Sequence, residues 1–226
     1  MGDYFTTRLK ENKKRDVLWT TLNRHFFQKH IDEQAFVVEL GAAWCNFINS
    51  IQAGRKIAVD IWPEFKLNAN NDVECLVGSA DKLPTIDDKT VDVVFASNLV
   101  EHLSQNLFAD LLSECSRVLK EDGKLILVQP NYRLAFKNYF DDYTHVSIWT
   151  DRSIADFLNV HGWQIERLES RFLPLTVKSK IPTVAFLIRV YLKSWFKPFA
   201  GQMLIIAKPP VLGDVFERHN FTSDSH

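Results

Sequence analysis

Glycine and cysteine are both scarce in this sequence. Of its 226 residues, 8 are glycine and 3 are cysteine. The cysteines, Cys45, Cys75 and Cys115, are far apart and lie among largely apolar residues. They therefore predict buried thiols in a reducing compartment, and they argue against a disulfide framework or a zinc site.

A large excess of charge and a long hydrophobic run are absent as well. The formal net charge is -1 and the pI is near 6.7, which argues against a dedicated nucleic-acid binder. The first 30 residues are polar and mixed in charge, so we expect no signal peptide and predict a cytoplasmic protein. A chain of 226 residues can form one α/β domain with additions.

Apolar runs alternate with amphipathic stretches along most of the chain, which predicts an α/β fold around a mostly parallel sheet. The predicted strands are 36–40, 56–60, 74–77, 91–97 and 124–129, with an antiparallel edge pair at 163–170 and 202–207. The predicted helices are 17–30, 46–52, 105–119 and 150–160. Ser104 is expected to cap the third of these helices.

Three parts are expected along the chain: an N-terminal helical cap over 1–35, a main domain over 36–210 and a polar tail over 211–226. Residues 172–198 form an apolar and basic insertion between the last two strands. The segment from Ser170 to Gly213 contains no Asp or Glu. This composition predicts a basic surface that belongs to the insertion.

Within the insertion, residues 181–196 are expected to form an amphipathic helix with Arg189, Lys193 and Lys197 on one stripe. The helix is shorter than the roughly 20 apolar residues that a bilayer span needs. Three interpretations remain open: a peripheral contact with an anionic membrane surface, a homodimer contact, and a cap over an acceptor pocket.

Two apolar runs each carry a carboxylate close to a turn. The first contains Glu39 and runs directly into Gly41, and the second ends on Asp60. This pattern is typical of a nucleotide-type ligand at the carboxyl edge of a parallel sheet, where the second acid accepts the ribose hydroxyls. Ala43 and Cys45 stand where a dinucleotide-binding turn has further glycines.

Two further motifs follow in order. Gly78-Ser-Ala-Asp81-Lys-Leu-Pro84 comes after the third predicted strand, and Glu101-His102-Leu103 comes after the fourth. The ordered set resembles the class I S-adenosylmethionine-dependent methyltransferases, and within them the small-molecule and glycan O-methyltransferase branch. The resemblance covers about residues 36–128. It implies a single Rossmann-like, doubly wound, mostly parallel seven-stranded sheet with an antiparallel C-terminal edge pair and a helical insertion.

The resemblance also implies S-adenosylmethionine as the cofactor. Asp60 would accept the ribose hydroxyls and Asp81 the adenine amino group, since carboxylates offer acceptors alone. The turn after the first strand would line the methionine portion of the cofactor. Glu39 would orient this turn, and its negative charge would favour a cationic cofactor. Asn98 and Leu99 would face the sulfonium. The implied cofactor residues are Glu39, Gly41, Ala42, Ala43, Asp60, Ile61, Ala80, Asp81, Asn98 and Leu99.

Methyl transfer to a hydroxyl requires alignment, exclusion of water and removal of the hydroxyl proton, and histidine suits the last task near neutral pH. The candidates are His145, after the fifth strand, and His102, after the fourth. Each histidine also has a non-catalytic interpretation. His145 could be a loop residue bonded to Asp142, and His102 could only shape the pocket. Glu101 is expected to pair with a nearby Lys or Arg.

The predicted function is methylation of a hydroxyl on a small-molecule, sugar or lipid-linked glycan acceptor. No metal-ligand cluster is evident from the spacing, so we expect metal-independent transfer. Two alternatives remain: a binding or scaffold protein whose cofactor turn is degenerate, and a nicotinamide-dependent oxidoreductase. We expect Ala43 at negative φ, where its methyl group is tolerated with little strain.

Overall fold

The computed structural model describes residues 13–174 and 184–210, and these contain one seven-stranded sheet in the order β3-β2-β1-β4-β5-β7-β6. The strands are β1 Phe36–Leu40, β2 Arg55–Asp60, β3 Glu74–Val77, β4 Val91–Ser97, β5 Leu119–Pro130, β6 Gln164–Pro174 and β7 Ala200–Lys208. Strands β1 to β5 pair in parallel, and β7 is antiparallel to both β5 and β6. The predicted fold class is confirmed.

The strand order places a topological switch between β1 and β4, the point at which open α/β sheets bind ligands. Leu40 of β1 pairs with Val59 of β2 on one side and with Ala96 of β4 on the other. The turns that follow these three strands therefore leave the sheet at the same edge. The strand register therefore brings the carboxylates and amides that are predicted to bind the cofactor to this one edge of the sheet.

Six α-helices are present in the described part of the chain. They are α1 Lys13–His25, α2 Asn46–Ser50, α3 Gln105–Val118, α4 Tyr132–Ala135, α5 Asp151–Val160 and α6 Ala185–Lys193. The side chain of Ser104 accepts from the amide of Leu107 at 3.2 Å, so the predicted cap of α3 is confirmed. Thr150 and Ser153 form a capping box at the start of α5.

The core consists of two layers, one on each face of the sheet. Val38 and Leu40 of β1 point into the layer that contains α3 and α5, and Val37 points into the layer that contains α1 and α2. A strand that is buried on both faces needs a continuous apolar run. This is why β1 could be located from the sequence with its bounds correct.

The insertion differs in part from its prediction. Helix α6 ends at Lys193, and residues 181–183 lie outside the described part of the chain. Lys197 follows the helix and pairs with Glu169 at 2.8 Å, so its predicted place on the helical stripe is wrong. Ile188 is buried where α6 packs against α1. The predicted tail, 211–226, also lies outside the described residues.

The insertion starts and ends at the ligand-bearing edge of the sheet. Pro174 at the end of β6 pairs with Ala200 at the start of β7, and Gln202 pairs with Pro130 at the carboxyl end of β5. Among the described residues, no helix is long and apolar enough to cross a membrane.

The three cysteines are free thiols, as predicted, and Cys45 and Cys115 are buried. Cys75 is half-buried, because it lies on β3 at the edge of the sheet.

Candidate active site

The turn after β1 requires a glycine at its first position. Gly41 has a φ of +67°, and a Cβ built on it would lie 3.1 Å from Cδ1 of Leu99. The amides of Gly41 and Ala42 donate to the Val59 carbonyl at 2.9 and 3.1 Å, which holds the turn against β2. Glycine therefore meets both a conformational and a steric requirement here.

The next residues correct the expectation for Ala43. Its φ is +44°, and that of Cys45 is +54°, so both non-glycine residues adopt the left-handed conformation. This conformation costs roughly 1–2 kcal/mol for a residue with a Cβ. The amide of Ala43 donates to Oδ2 of Asp60 at 2.8 Å, and the amide of Cys45 donates to the Ala42 carbonyl at 2.7 Å. The turn keeps its shape through these bonds despite the strain.

Asp60 joins the turns that follow β1 and β2. Its Oδ2 accepts from Ala43 and its Oδ1 accepts from the amide of Trp62, each at 2.8 Å. The residue is 5% exposed, so it is not an acid open to water. Burial raises the pKa of Asp60, and the amides of Trp62 and Ala43 oppose that shift. Each oxygen keeps a second lone pair, so the carboxylate can also accept from a ribose diol.

The segment after β3 continues the same edge. The amide of Gly78 donates to the Asp60 carbonyl at 3.0 Å, and a Cβ built on Gly78 would meet no atom within 4 Å. Asp81 accepts from the hydroxyl of Ser79, Ala80 packs against the core, and Ile61 is exposed at the rim. The open space beside Gly78 leaves room at this edge for the adenosine part of S-adenosylmethionine.

Glu39 holds the helix that follows the first turn. Its Oε2 accepts from the amide of Ile48 in α2 at 3.1 Å. Burial raises the pKa of Glu39 well above its usual value, and the charge of Asp60 adds to the shift. Glu39 can therefore orient the turn through a hydrogen bond. Its influence on a cationic cofactor stays a prediction.

Asn98 and Leu99 lie where β4 ends. Asn98 has a φ of +50°, and its Oδ1 accepts from Nε2 of Gln202 at 2.7 Å. Leu99 packs against the face of Gly41. Gln202 lies on β7, far away in the sequence, and no motif marks it, so the sequence analysis missed this support of Asn98.

The two candidate histidines lie close together, after the carboxyl ends of β4 and β5. We call this region the acceptor side, because the methyl acceptor is expected there. His102 lies in a short 3-10 helix after β4, and His145 lies in the loop after β5. The loop is attached to the helix because the amides of Val146 and Ser147 donate to the Glu101 carbonyl at 2.9 and 3.1 Å. The two imidazole rings are 4.8 Å apart between centroids and nearly perpendicular, at 72°.

A hydrogen-bonded chain holds the His102 ring. Nδ1 of His102 lies 3.2 Å from the Thr144 carbonyl and 2.9 Å from the Thr144 hydroxyl, which donates to Oδ1 of Asp142 at 2.7 Å. Because a carbonyl oxygen can only accept, these contacts assign the proton of the neutral ring to Nδ1. Burial lowers the pKa of His102, the charge of His145 adds to the shift, and Asp142 opposes it.

Among residues 13–174 and 184–210, Glu101 forms no ion pair with a Lys or Arg, contrary to our expectation. The residue is 1% exposed, and neither carboxyl oxygen has a hydrogen-bond partner among the described residues. Burial raises the pKa of Glu101 to about 8, and the charge of Asp142 contributes.

The fold places Glu101 beside both histidines. One ligand atom from each of Glu101, His102 and His145 lies within 4.8 Å of the others. Spacing along the chain could not show this cluster, since its residues come from two separate segments, and metal-independent transfer stays a prediction.

The acceptor side also carries an apolar rim. Five large residues of the segment after β5 are exposed. They are Phe136, Phe140, Tyr143, Val146 and Ile148.

Comparisons with known proteins agree with this geometry. Residues 38–127 match a protein family described as a methyltransferase domain. A solved S-adenosylmethionine-dependent methyltransferase from Archaeoglobus fulgidus is 22% identical, with a TM-score of 0.63 over 86% of this chain and 94% of its own. A protein from Pyrococcus horikoshii is 17% identical, with a TM-score of 0.61 over 92% and 96%.

A geranyl diphosphate C-methyltransferase from Streptomyces coelicolor is 15% identical, with a TM-score of 0.54 over 83% of this chain and 78% of its own. At such identities, likeness in structure shows the fold. No curated protein is similar enough in sequence to match. The family match favours the methyltransferase over the scaffold and nicotinamide alternatives, and it indicates S-adenosylmethionine as the cofactor.

Proposed function

We propose that this chain is an enzyme that methylates a hydroxyl group of a small-molecule, sugar or lipid-linked glycan acceptor, since residues 38–127 match a family described as a methyltransferase domain. The observation that supports a hydroxyl is the His102–His145 pair, which lies just beyond Asn98. Imidazoles at the acceptor side provide a base for a group that must lose its proton.

The cofactor supplies an activated methyl group. The residues of this chain have three tasks: Asp60 and Asp81 bind the nucleoside, Gly41 lets the ligand approach bare backbone, and His145 removes or orients the acceptor proton. His145 would accept the proton that the acceptor hydroxyl loses as it is methylated. His102 positions His145 by edge contact, while Thr144 keeps the His102 ring in one tautomer.

The apolar rim favours an acceptor with an apolar part. Phe140 and Tyr143 are exposed aromatic side chains in the same loop segment as His145. Aromatic faces bind both sugar rings and isoprenoid chains through apolar contact. A glycan carried on a lipid offers both kinds of surface.

An acceptor panel tests the proposal. The full chain would be incubated with methyl-labelled S-adenosylmethionine and with free sugars, lipid-linked glycans and phenols, alongside matched amine analogues. We expect label in the hydroxyl compounds, at a position that mass spectrometry assigns to oxygen. Label on nitrogen or carbon would contradict the acceptor assignment, while the methyltransferase domain would stand.

The surface of α6 supports a further proposal, a peripheral contact with an anionic membrane. Arg189 and Lys193 are exposed on this helix, and Trp195 and Phe196 are exposed just after it. Cations beside exposed aromatic residues are typical of interfacial helices. Because the insertion leaves the sheet at the ligand-bearing edge, such contact would bring a lipid-borne acceptor close to the site.

Co-sedimentation with vesicles tests the membrane contact. Binding to vesicles that contain phosphatidylserine should fall as salt rises and in Arg189→Ala/Lys193→Ala, because exposed charges are screened over about 10 Å at 0.1 M. Arg152→Ala, which removes a cation from α5, is the matched control. Absence of binding together with dimers in gel filtration would assign this surface to a homodimer instead.

A further inference from the structure

We propose that Glu101, His102 and His145 bind a divalent transition-metal ion on the acceptor side of the cofactor pocket. One carboxylate and two imidazoles are a common ligand set for Zn²⁺ and Fe²⁺ sites that keep open positions for water or substrate. Magnesium, by contrast, prefers oxygen ligands. The ligand set therefore selects a metal of the zinc class.

The distances suit such an ion. The ligand atoms of the three residues lie within 4.8 Å of one another. Zinc is bound at about 2.0–2.2 Å by nitrogen and oxygen, so two ligands of one ion are separated by about 3–4 Å. Inward side-chain shifts of about 1 Å or less would complete the coordination. His145 lies in a loop and can make such a shift without disturbing the sheet.

Glu101 provides independent evidence. It is 1% exposed, and among the described residues neither of its carboxyl oxygens has a hydrogen-bond partner. Buried polar atoms are almost always satisfied, so an orphaned carboxyl group calls for an explanation. Protonation would remove the charge, but it would add a donor that also needs a partner. A bound cation would satisfy the carboxylate directly.

The surroundings resemble the second layer of a metal site. A ligating histidine usually donates its other ring N–H to a carbonyl, a carboxylate or water, which fixes its tautomer. Nδ1 of His102 makes this type of contact with Thr144, and the Thr144 hydroxyl donates to Asp142. The ring thus keeps its lone pair on Nε2, and Asp142 adds negative charge nearby.

The role of the ion rests on the proposed function. An acceptor hydroxyl bound to the metal would lose its proton more readily, because the cation stabilises the alkoxide. The released proton would pass to bulk solvent. With the ion bound, His145 would be a ligand, so its role as a base applies to the metal-free site; in both cases His145→Ala is expected to lower turnover. Metal binding itself is independent of the acceptor and can be measured without it.

The test uses Co²⁺ as a coloured probe and Zn²⁺ as its competitor, with the full, metal-stripped chain and no S-adenosylmethionine. We expect one Co²⁺ per chain with visible d–d bands, displaced by Zn²⁺ and little affected by Mg²⁺. Glu101→Gln, His102→Ala and His145→Ala should each weaken binding by about tenfold or more. Thr144→Val should weaken it by about 10–100-fold through the second layer.

His161→Ala is the matched control, since this histidine at the end of α5 bonds to the Phe157 carbonyl away from the cluster. Its Co²⁺ affinity should equal that of the parent, and melting curves would verify that all variants fold. No Co²⁺ binding by the folded parent would overturn the proposal. Binding that survives Glu101→Gln and His145→Ala, or a sulfur-to-cobalt charge-transfer band, would also overturn it. Either failure leaves the methyltransferase proposal intact, because the acceptor panel tests that separately.

Discussion

The two sides of the ligand-bearing edge differ in how their buried acids are satisfied. On the cofactor side, Asp60 and Glu39 accept from backbone amides, and these bonds tie the turns together. On the acceptor side, Glu101 is buried with no such bonds among the described residues, and the rim above it is apolar. The cofactor side is preorganised by its own backbone, whereas the buried carboxyl group of the acceptor side is left without such hydrogen bonds among the described residues.

The largest expected effect tests the acceptor side. On the acceptor found by the panel, His145→Ala should lower turnover by about 10²–10⁴-fold, the usual contribution of acid–base catalysis, and leave cofactor affinity nearly unchanged. Rates at several pH values and calorimetry with S-adenosylmethionine would measure both. His161→Ala should match the parent. Equal turnover of His145→Ala and the parent would return His145 to a structural role.

The second test addresses the cofactor side. Asp60→Ala should weaken S-adenosylmethionine binding by about 10²-fold or more, because charge-assisted hydrogen bonds contribute on the order of 1.5–3 kcal/mol each. The variant should also melt earlier, since Asp60 holds the amides of Ala43 and Trp62. Asp87→Ala, an exposed acid, serves as the control. Unchanged affinity in a folded variant would refute the cofactor assignment.

The third test concerns strain in the preorganised turn. Ala43→Gly should stabilise the chain by about 1 kcal/mol, or about 2–4 °C in Tm, because Ala43 has a φ of +44°. Ala42→Gly should instead destabilise it, since glycine there adds flexibility without relieving strain. Cys45→Gly should gain little, because it also removes a buried side chain. A lower Tm for Ala43→Gly would show that the turn is not strained.

The last test concerns pH, where the effect is spread over several pH units. The pKa of Glu39 is raised in the fold, so the folded state holds a proton that the unfolded state releases above about pH 4.5. Stability should therefore fall as pH rises above that value, relative to Glu39→Gln, by at most about 1.4 kcal/mol per pH unit. Urea denaturation of both proteins from pH 4 to 8 would measure this difference. A constant difference would mean that Glu39 ionises normally.

The fold could be predicted from the sequence because the residue patterns that indicate its strands and helices are local. Continuous apolar runs located β1, β3 and β4 with their observed bounds, and Ser104 identified the start of α3. The same signals placed Glu39, Asp60 and Asn98 at one edge, since the ends of parallel strands meet there. In the insertion, Arg189 and Lys193 lie on one helix at the predicted spacing. This spacing could not show that the helix ends at Lys193.

The chain alone also identified His102 and His145 as acceptor-side candidates, whereas their contact with each other and with Glu101 depends on how two loops pack. Glu101 was expected to pair with a Lys or Arg, because its burial is a property of the packed fold and cannot be seen in the sequence. The positive φ of Ala43 was hidden for the same reason: its conformation is imposed by the carboxylate of Asp60. Local propensity decides helices, strands and turns, but long-range contacts decide which polar groups are buried and what satisfies them.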